Sequence, residues 1–190
     1  ITTEMISTGH NIPVAYYDME SQKTGSMRSV YKFHNLCKKV LLHKHCDKGS
    51  KVLDIGCGEM GDLLKYLDLD LELLVGIDSN KHNLINNQKG ALKRILDLKK
   101  KVDNEDSNDN HMLNKTFLIW GDVTKNISSG SAGLDSLHKF YLDLLYGNII
   151  NRQHIERLSN PKLKKFRGIA QGKFDFISCQ FAMHYFFRNT

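Results

Sequence analysis

Residues 51–62 read K-V-L-D-I-G-C-G-E-M-G-D, a short apolar run ending in Gly56, Gly58 and Gly61 at G-x-G-x-x-G spacing. Glycine at these positions permits a tight turn and close approach of backbone to a ligand, with a strand entering and a helix leaving. Asp62–Leu67 supplies the helix pattern. A second apolar run, Leu73–Ile77, ends at Asp78, and two more follow at Thr116–Trp120 and Phe174–Cys179. None alternates cleanly, as expected of strands covered on both faces. Leu84, Ile85, Leu92, Ile95 and Leu96 mark a helix after the second strand. Strands alternating with helices predict a parallel, doubly wound α/β sheet.

The remaining chain sorts around this frame. Residues 1–26 read as a polar arm with one apolar patch at Val14–Tyr17, and residues 27–190 as the body. Val30, Phe33, Leu36, Cys37, Val40 and Leu41 recur at helical spacing between Met27 and His45. Residues 99–115 are nearly all charged or amide, and predict a surface loop. Residues 123–173 are too long for an ordinary crossover and read as an insert, with a turn at Ser128–Gly133 and helices near Leu134–Tyr146 and Gln153–Lys165. The fourth strand stops about a dozen residues before the last one, leaving one side unpaired. The expectation is a sheet truncated after that strand.

Charge narrows the ligand. Asp78 ends the second strand 22 residues beyond Gly56, where a carboxylate can accept ribose hydroxyls. Asp54 precedes the first glycine, Glu59 lies in the loop and Asp62 opens the helix. Such acidity is unwelcome to a pyrophosphate at a helix N-terminus and suits a cation. S-adenosylmethionine, with a sulfonium and an ammonium and no phosphate, is therefore favoured over NAD. Asp122, after the third strand, suits either an adenine contact or a plain Gly-Asp turn.

Composition sets the outer limits. The 190 residues are 41% hydrophobic and 25% charged, which argues for about one folded domain. A net charge of +6 favours a polyanionic partner without proving one. No apolar run approaches the roughly 20 residues of a membrane span, and the N-terminus lacks the order of a secretory signal. The expectation is an intracellular protein with no membrane partner. Cys37, Cys46, Cys57 and Cys179 form no C-x-x-C pair and read as reduced thiols. His43, His45 and Cys46 lack a second ligand pair, so no metal is expected.

The segment Ser178–Tyr185, S-C-Q-F-A-M-H-Y, followed by Phe186 and Phe187, resembles the signature of the mRNA cap guanine-N7 methyltransferases. Val14–Asp18 resembles that family's V-A-x-H-Y-N, Arg28–Lys39 its R-x-F-N-N-W-x-K-S helix, and Val52–Asp62 its L-D-L-G-C-G-K-G-G-D. The resemblance implies a class I, Rossmann-like, S-adenosylmethionine-dependent methyltransferase sheet, with S-adenosylhomocysteine as product. It points to the methyltransferase module of a multifunctional capping enzyme from a large DNA virus. The partners implied are the capped RNA 5′ end, other capping-enzyme domains and an activating subunit. The setting would be cytoplasm or virion for a virus, and nucleus for a cell.

Residue by residue, the resemblance assigns Lys38 to the methionine carboxylate, Gly56 to the methionine moiety, Asp78 to the ribose and Asp122 to the adenine. With Asp54 and Gly58 in the loop, Gln180 and Tyr185 complete the cofactor set. His184 would contact the cap guanine and Tyr185 help place it. His34 and Asn35 match an Asn pair near the cap, and Lys65 a base facing its phosphates. Three departures stand out. Glu59 and Met60 replace a Lys and a Gly of the loop, an expected Arg falls near Lys89-Gly90, and His34 replaces the first Asn. The N7 atom carries a lone pair and no proton, so transfer needs alignment and no general base. A non-catalytic cap- or nucleotide-binding module and an NAD-dependent oxidoreductase remain as alternatives.

Overall fold

A computed structural model describes residues 28–104, 110–148 and 161–186. The arm 1–26, the start of the second insert helix at 153–160 and Phe187 lie outside the described residues. The chain divides into two units, Ile1–His45 and Cys46–Thr190. In the first unit, α1 (Arg28–His45) runs without glycine or proline. His43, Lys44 and His45 in its last turn suit the negative end of the helix dipole.

The second unit is built on four parallel strands, β1 (Lys51–Ile55), β2 (Leu73–Asp78), β3 (Thr116–Trp120) and β4 (Phe176–Ser178). Their order is β3-β2-β1-β4. Parallel partners share a face, so the register writes the core. Leu53, Val75 and Phe117 form one row, and Ile55, Ile77 and Ile119 the next. Against these rows pack Leu142, Leu145, Phe166 and Ala170, with Phe117 edge-on to Phe166 at 5.0 Å. The described residues of the segment 123–173 thus pack on this face. The segment's length follows from topology, because the chain must travel from one edge of the sheet to the other, about 14 Å.

Within that crossover, α6 (Ser136–Tyr146) is tightly delimited. Asp135 accepts the His138 N–H at 2.9 Å as N-cap, and Gly147 ends the helix in the left-handed region. Asp135→Ala is expected to cost about 1 kcal/mol, read as a lower urea midpoint with an unchanged slope. A 3-10 turn at Pro161–Phe166 stands where part of a helix was expected.

The opposite face carries Asp54, Gly76 and Leu118 in one row, with Ser178 beyond Asp54. A Cβ on Gly76 would meet Cys57 Sγ at 3.0 Å and Met60 Sδ at 3.1 Å, so the loop after β1 lies on this face. Two expectations need correction here. The helix after β2 is two helices, α3 (Lys81–Ile85) and α4 (Ala91–Asn104). Asn86 Oδ1 accepts the N–H groups of Gln88 and Lys89 at 2.8 and 3.1 Å, offering the backbone a turn instead of a helix. Among the described residues, the expected loop 99–115 is helical over 99–104 and 110–113. Its lysines extend α4 to Asn104, and α5 (Asn110–Leu113) is pinned by the buried Met112 and Leu113. Straight-chain lysines favour helix while their ammonium groups stay in water. No helix among the described residues is long and apolar enough to cross a membrane.

Candidate active site at the carboxyl edge of the sheet

The glycine loop is fastened to the end of β2 by its own amides. Gly56 and Cys57 both donate to Ile77 O, at 2.8 and 3.1 Å, and Met60 donates to Cys57 O at 2.9 Å. Gly58 N–H donates to Asp78 Oδ2 at 2.8 Å. On its other oxygen, Asp78 accepts Asn80 N–H at 2.8 Å and Asn83 Nδ2 at 3.3 Å. A carboxylate offers about four acceptor sites, so these bonds leave room for a ligand hydroxyl. Burial raises the Asp78 carboxyl above its ordinary range, and the three donors oppose that rise.

Gly56 has φ +67°, and Gly58 φ +54°. A Cβ on Gly56 would lie 2.5 Å from the Cβ of Ala182. The chain leaving β4 therefore closes directly over the loop. Phe181 makes the turn at φ +59° with its ring half exposed, a backbone conformation that costs energy in a non-glycine residue. Gln180 lies partly buried in this turn, and His184 is exposed in the 3-10 turn Met183–Tyr185. The Tyr185 side chain lies outside the described residues.

The loop's acidity is more compensated than its composition suggests. Glu59 is buried and pairs with Lys89 Nζ at 3.6 Å and Arg94 Nη2 at 3.5 Å. Asp62 pairs with Lys65 at 2.7 Å, so the base expected to face phosphates is engaged within its own helix turn, α2 (Leu63–Leu67). Asp54 and Asp78 also contribute negative potential here. Burial pushes the Cys57 thiol well above its ordinary value, and both carboxylates push it further.

Asp122 makes a turn: its Oδ1 accepts Thr124 N–H at 3.0 Å and Thr124 Oγ1–H at 2.7 Å. His34, Asn35 and Lys38 lie on α1 in the other unit, and their spacing places them along one side of that helix. The structure thus gathers Asp54, Gly56, Gly58, Asp78 and the segment Gln180–His184 along one edge.

Several residues at this edge had escaped the sequence reading. Asn80 and Asn83 brace Asp78, Lys89 and Arg94 hold Glu59, and Ala182 fills the space above Gly56. Tyr66 and Ser178 flank Asp54, its phenol pushed up by burial and then by the Asp54 carboxylate. Ser178 and Ala182 carried a local signal, as members of the motif Ser178–Tyr185, and Lys89 as the place of an expected Arg.

Comparison with known proteins agrees with this geometry. The family model of the mRNA (guanine-N(7))-methyltransferase domain matches residues 6–190. The probable mRNA-capping enzyme of Acanthamoeba polyphaga mimivirus is 29% identical over 173 residues. That match covers 91% of this chain and 12% of the relative, so the chain spans a small part of the curated protein it resembles. With its parallel sheet, its glycine loop and the match along almost its whole length, the chain belongs to the mRNA (guanine-N7)-methyltransferase domain family.

Proposed function

We propose that this chain is the methyltransferase module of a capping enzyme, transferring a methyl group from S-adenosylmethionine to N7 of the terminal guanine of GpppN-capped RNA. One observation supports the donor above all others. The amides of Gly56, Cys57, Gly58 and Met60 all bond within the protein. A pyrophosphate would need such N–H groups turned outward, so the loop fits a ligand without phosphate. The negative potential of Asp54 and Asp78 suits a cation, and Asp78 keeps acceptor capacity for a ribose. These features disfavour the NAD-dependent alternative.

When bound, S-adenosylmethionine supplies an electrophilic methyl on a positively charged sulfur. The protein's task is then alignment, worth roughly 7–11 kcal/mol when two reactants are held in register. Asp78 would hold the ribose and Asp54 keep the pocket negative. Gln180 and Tyr185 would close the site, and Asp122 would border the adenine while completing its turn. His184 would meet the guanine, with His34, Asn35 and Lys65 toward the cap and Lys38 at the cofactor carboxylate. Capped RNA is the proposed partner, alongside other domains of a longer capping enzyme and an activating subunit, in a viral cytoplasmic or virion setting.

The test incubates the full-length protein with methyl-labelled S-adenosylmethionine and GpppA-capped RNA. Label is expected in 7-methylguanine after nuclease digestion. Label in a ribose 2′-oxygen or an internal base, or cofactor binding without transfer, would overturn the assignment.

A further inference from the structure

Beneath the glycine loop lies a buried polar cluster of Asp54, Tyr66 and Ser178. Asp54 sits near the carboxyl end of β1, directly in register with Ser178 of β4. Parallel partners share a face, so the Ser178 hydroxyl stands beside the Asp54 carboxylate. From α2, the phenol of Tyr66 reaches the same place. Asp54 is 4% exposed, Ser178 2% and Tyr66 0%. By geometry Tyr66 Oη and Ser178 Oγ nonetheless complete no hydrogen bond, although the Tyr66 phenol lies near enough to Ser178 and Asp54 to interact with both. Among the described residues these are the two buried side-chain polar atoms left so.

Orphaned hydroxyls are costly in a protein interior, and a tyrosine and a serine could be replaced by phenylalanine and alanine at little loss of packing. Two together, flanking one carboxylate at the foot of the cofactor loop, require a reason. We propose that Tyr66 and Ser178 are positioning residues that donate to Asp54 when the site is loaded, fixing the carboxylate beneath the positively charged part of the ligand. This rests on the cofactor assignment above. A bound cation favours the ionised carboxylate, and an ionised acceptor makes stronger, shorter bonds than a neutral one. The hydroxyls are already desolvated, so closing those bonds gives up no water at the moment of binding.

The experiment separates positioning from packing by the sign of two readouts. Tyr66→Phe, Ser178→Ala and Ser178→Thr are made in the full-length protein. Melting temperature without ligand and calorimetric Kd for S-adenosylhomocysteine are then measured. Tyr66→Phe removes an unsatisfied group, so its unliganded melting temperature is expected to hold or to rise by about 2–4 °C. Its Kd is nevertheless expected to rise about tenfold, with affinity for a cap analogue unchanged. Ser178→Ala should weaken binding about fivefold, and Ser178→Thr, which keeps a hydroxyl, should restore most of it. Kd unchanged in Tyr66→Phe, beside a wild type that binds, would overturn the positioning role alone. Failure of the wild type to bind either S-adenosylmethionine or S-adenosylhomocysteine would overturn the cofactor assignment itself.

Discussion

Gly56→Ala is expected to abolish detectable binding of S-adenosylhomocysteine and to lower stability by about 2–5 kcal/mol. Two separate causes add. The residue sits at φ +67°, where an L side chain costs roughly 1–2 kcal/mol. The new Cβ would also stand 2.5 Å from the Cβ of Ala182, and forcing an extra carbon into a packed contact costs about 1–3 kcal/mol. Binding suffers more than stability because the collision is resolved by parting the loop from the turn that follows β4. These are the two segments that carry Gly56 and Gln180–His184.

The two causes can be taken apart. Ala182→Gly removes the carbon that the new side chain would strike and leaves the backbone strain in place. In the Gly56→Ala background it should recover the steric share of the loss, leaving about 1–2 kcal/mol from the left-handed conformation. Denaturant midpoints of the four proteins in this cycle measure the coupling directly. Simple additivity of the two substitutions would show that loop and turn do not press on one another.

The strands were legible because burial on both faces leaves only short apolar runs. Thr116–Trp120 and Lys51–Ile55 are found with their expected bounds. What the sequence hid was decided by contacts distant along the chain. Glu59 and Arg94 meet across 35 residues, and a count of loop acids cannot register such a partner. The preference for a cation therefore survives on Asp54 and Asp78, with Glu59 and Asp62 withdrawn from it. The break at Asn86 was in principle readable, since the pair Asn86-Asn87 invites a turn. The apolar spacing of Leu84, Ile85, Leu92, Ile95 and Leu96 nevertheless ran straight through it. The lysine-rich stretch after Leu98 failed for the opposite reason: polarity marks solvent exposure, and an exposed segment can still be helical.

Asp78→Asn is expected to lower cofactor affinity by about a hundredfold or more. It should also remove a pH dependence that the wild type displays with opposite signs in two measurements. The carboxylate joins loop to helix by accepting Gly58 N–H on one oxygen and Asn80 N–H on the other. An amide can keep only one of these, because its NH2 would face a second donor. In the wild type, burial raises the Asp78 carboxyl above its unfolded value. The folded protein therefore binds this proton more readily than the unfolded chain does. The contribution of Asp78 to stability is fully present below the unfolded value and is lost as pH rises through the folded one. Ligand affinity runs the other way, since only the ionised carboxylate can accept both the loop amide and a ribose hydroxyl. It should fall as the pH drops through the same raised value, above the ordinary carboxylate range. Melting temperature and the calorimetric association constant, each followed between about pH 4 and pH 7, should thus move in opposite directions in the wild type, the first falling and the second rising with pH. In Asp78→Asn both curves should lose this component. An affinity that kept its wild-type pH profile without the carboxylate would show that another group carries the ribose contact.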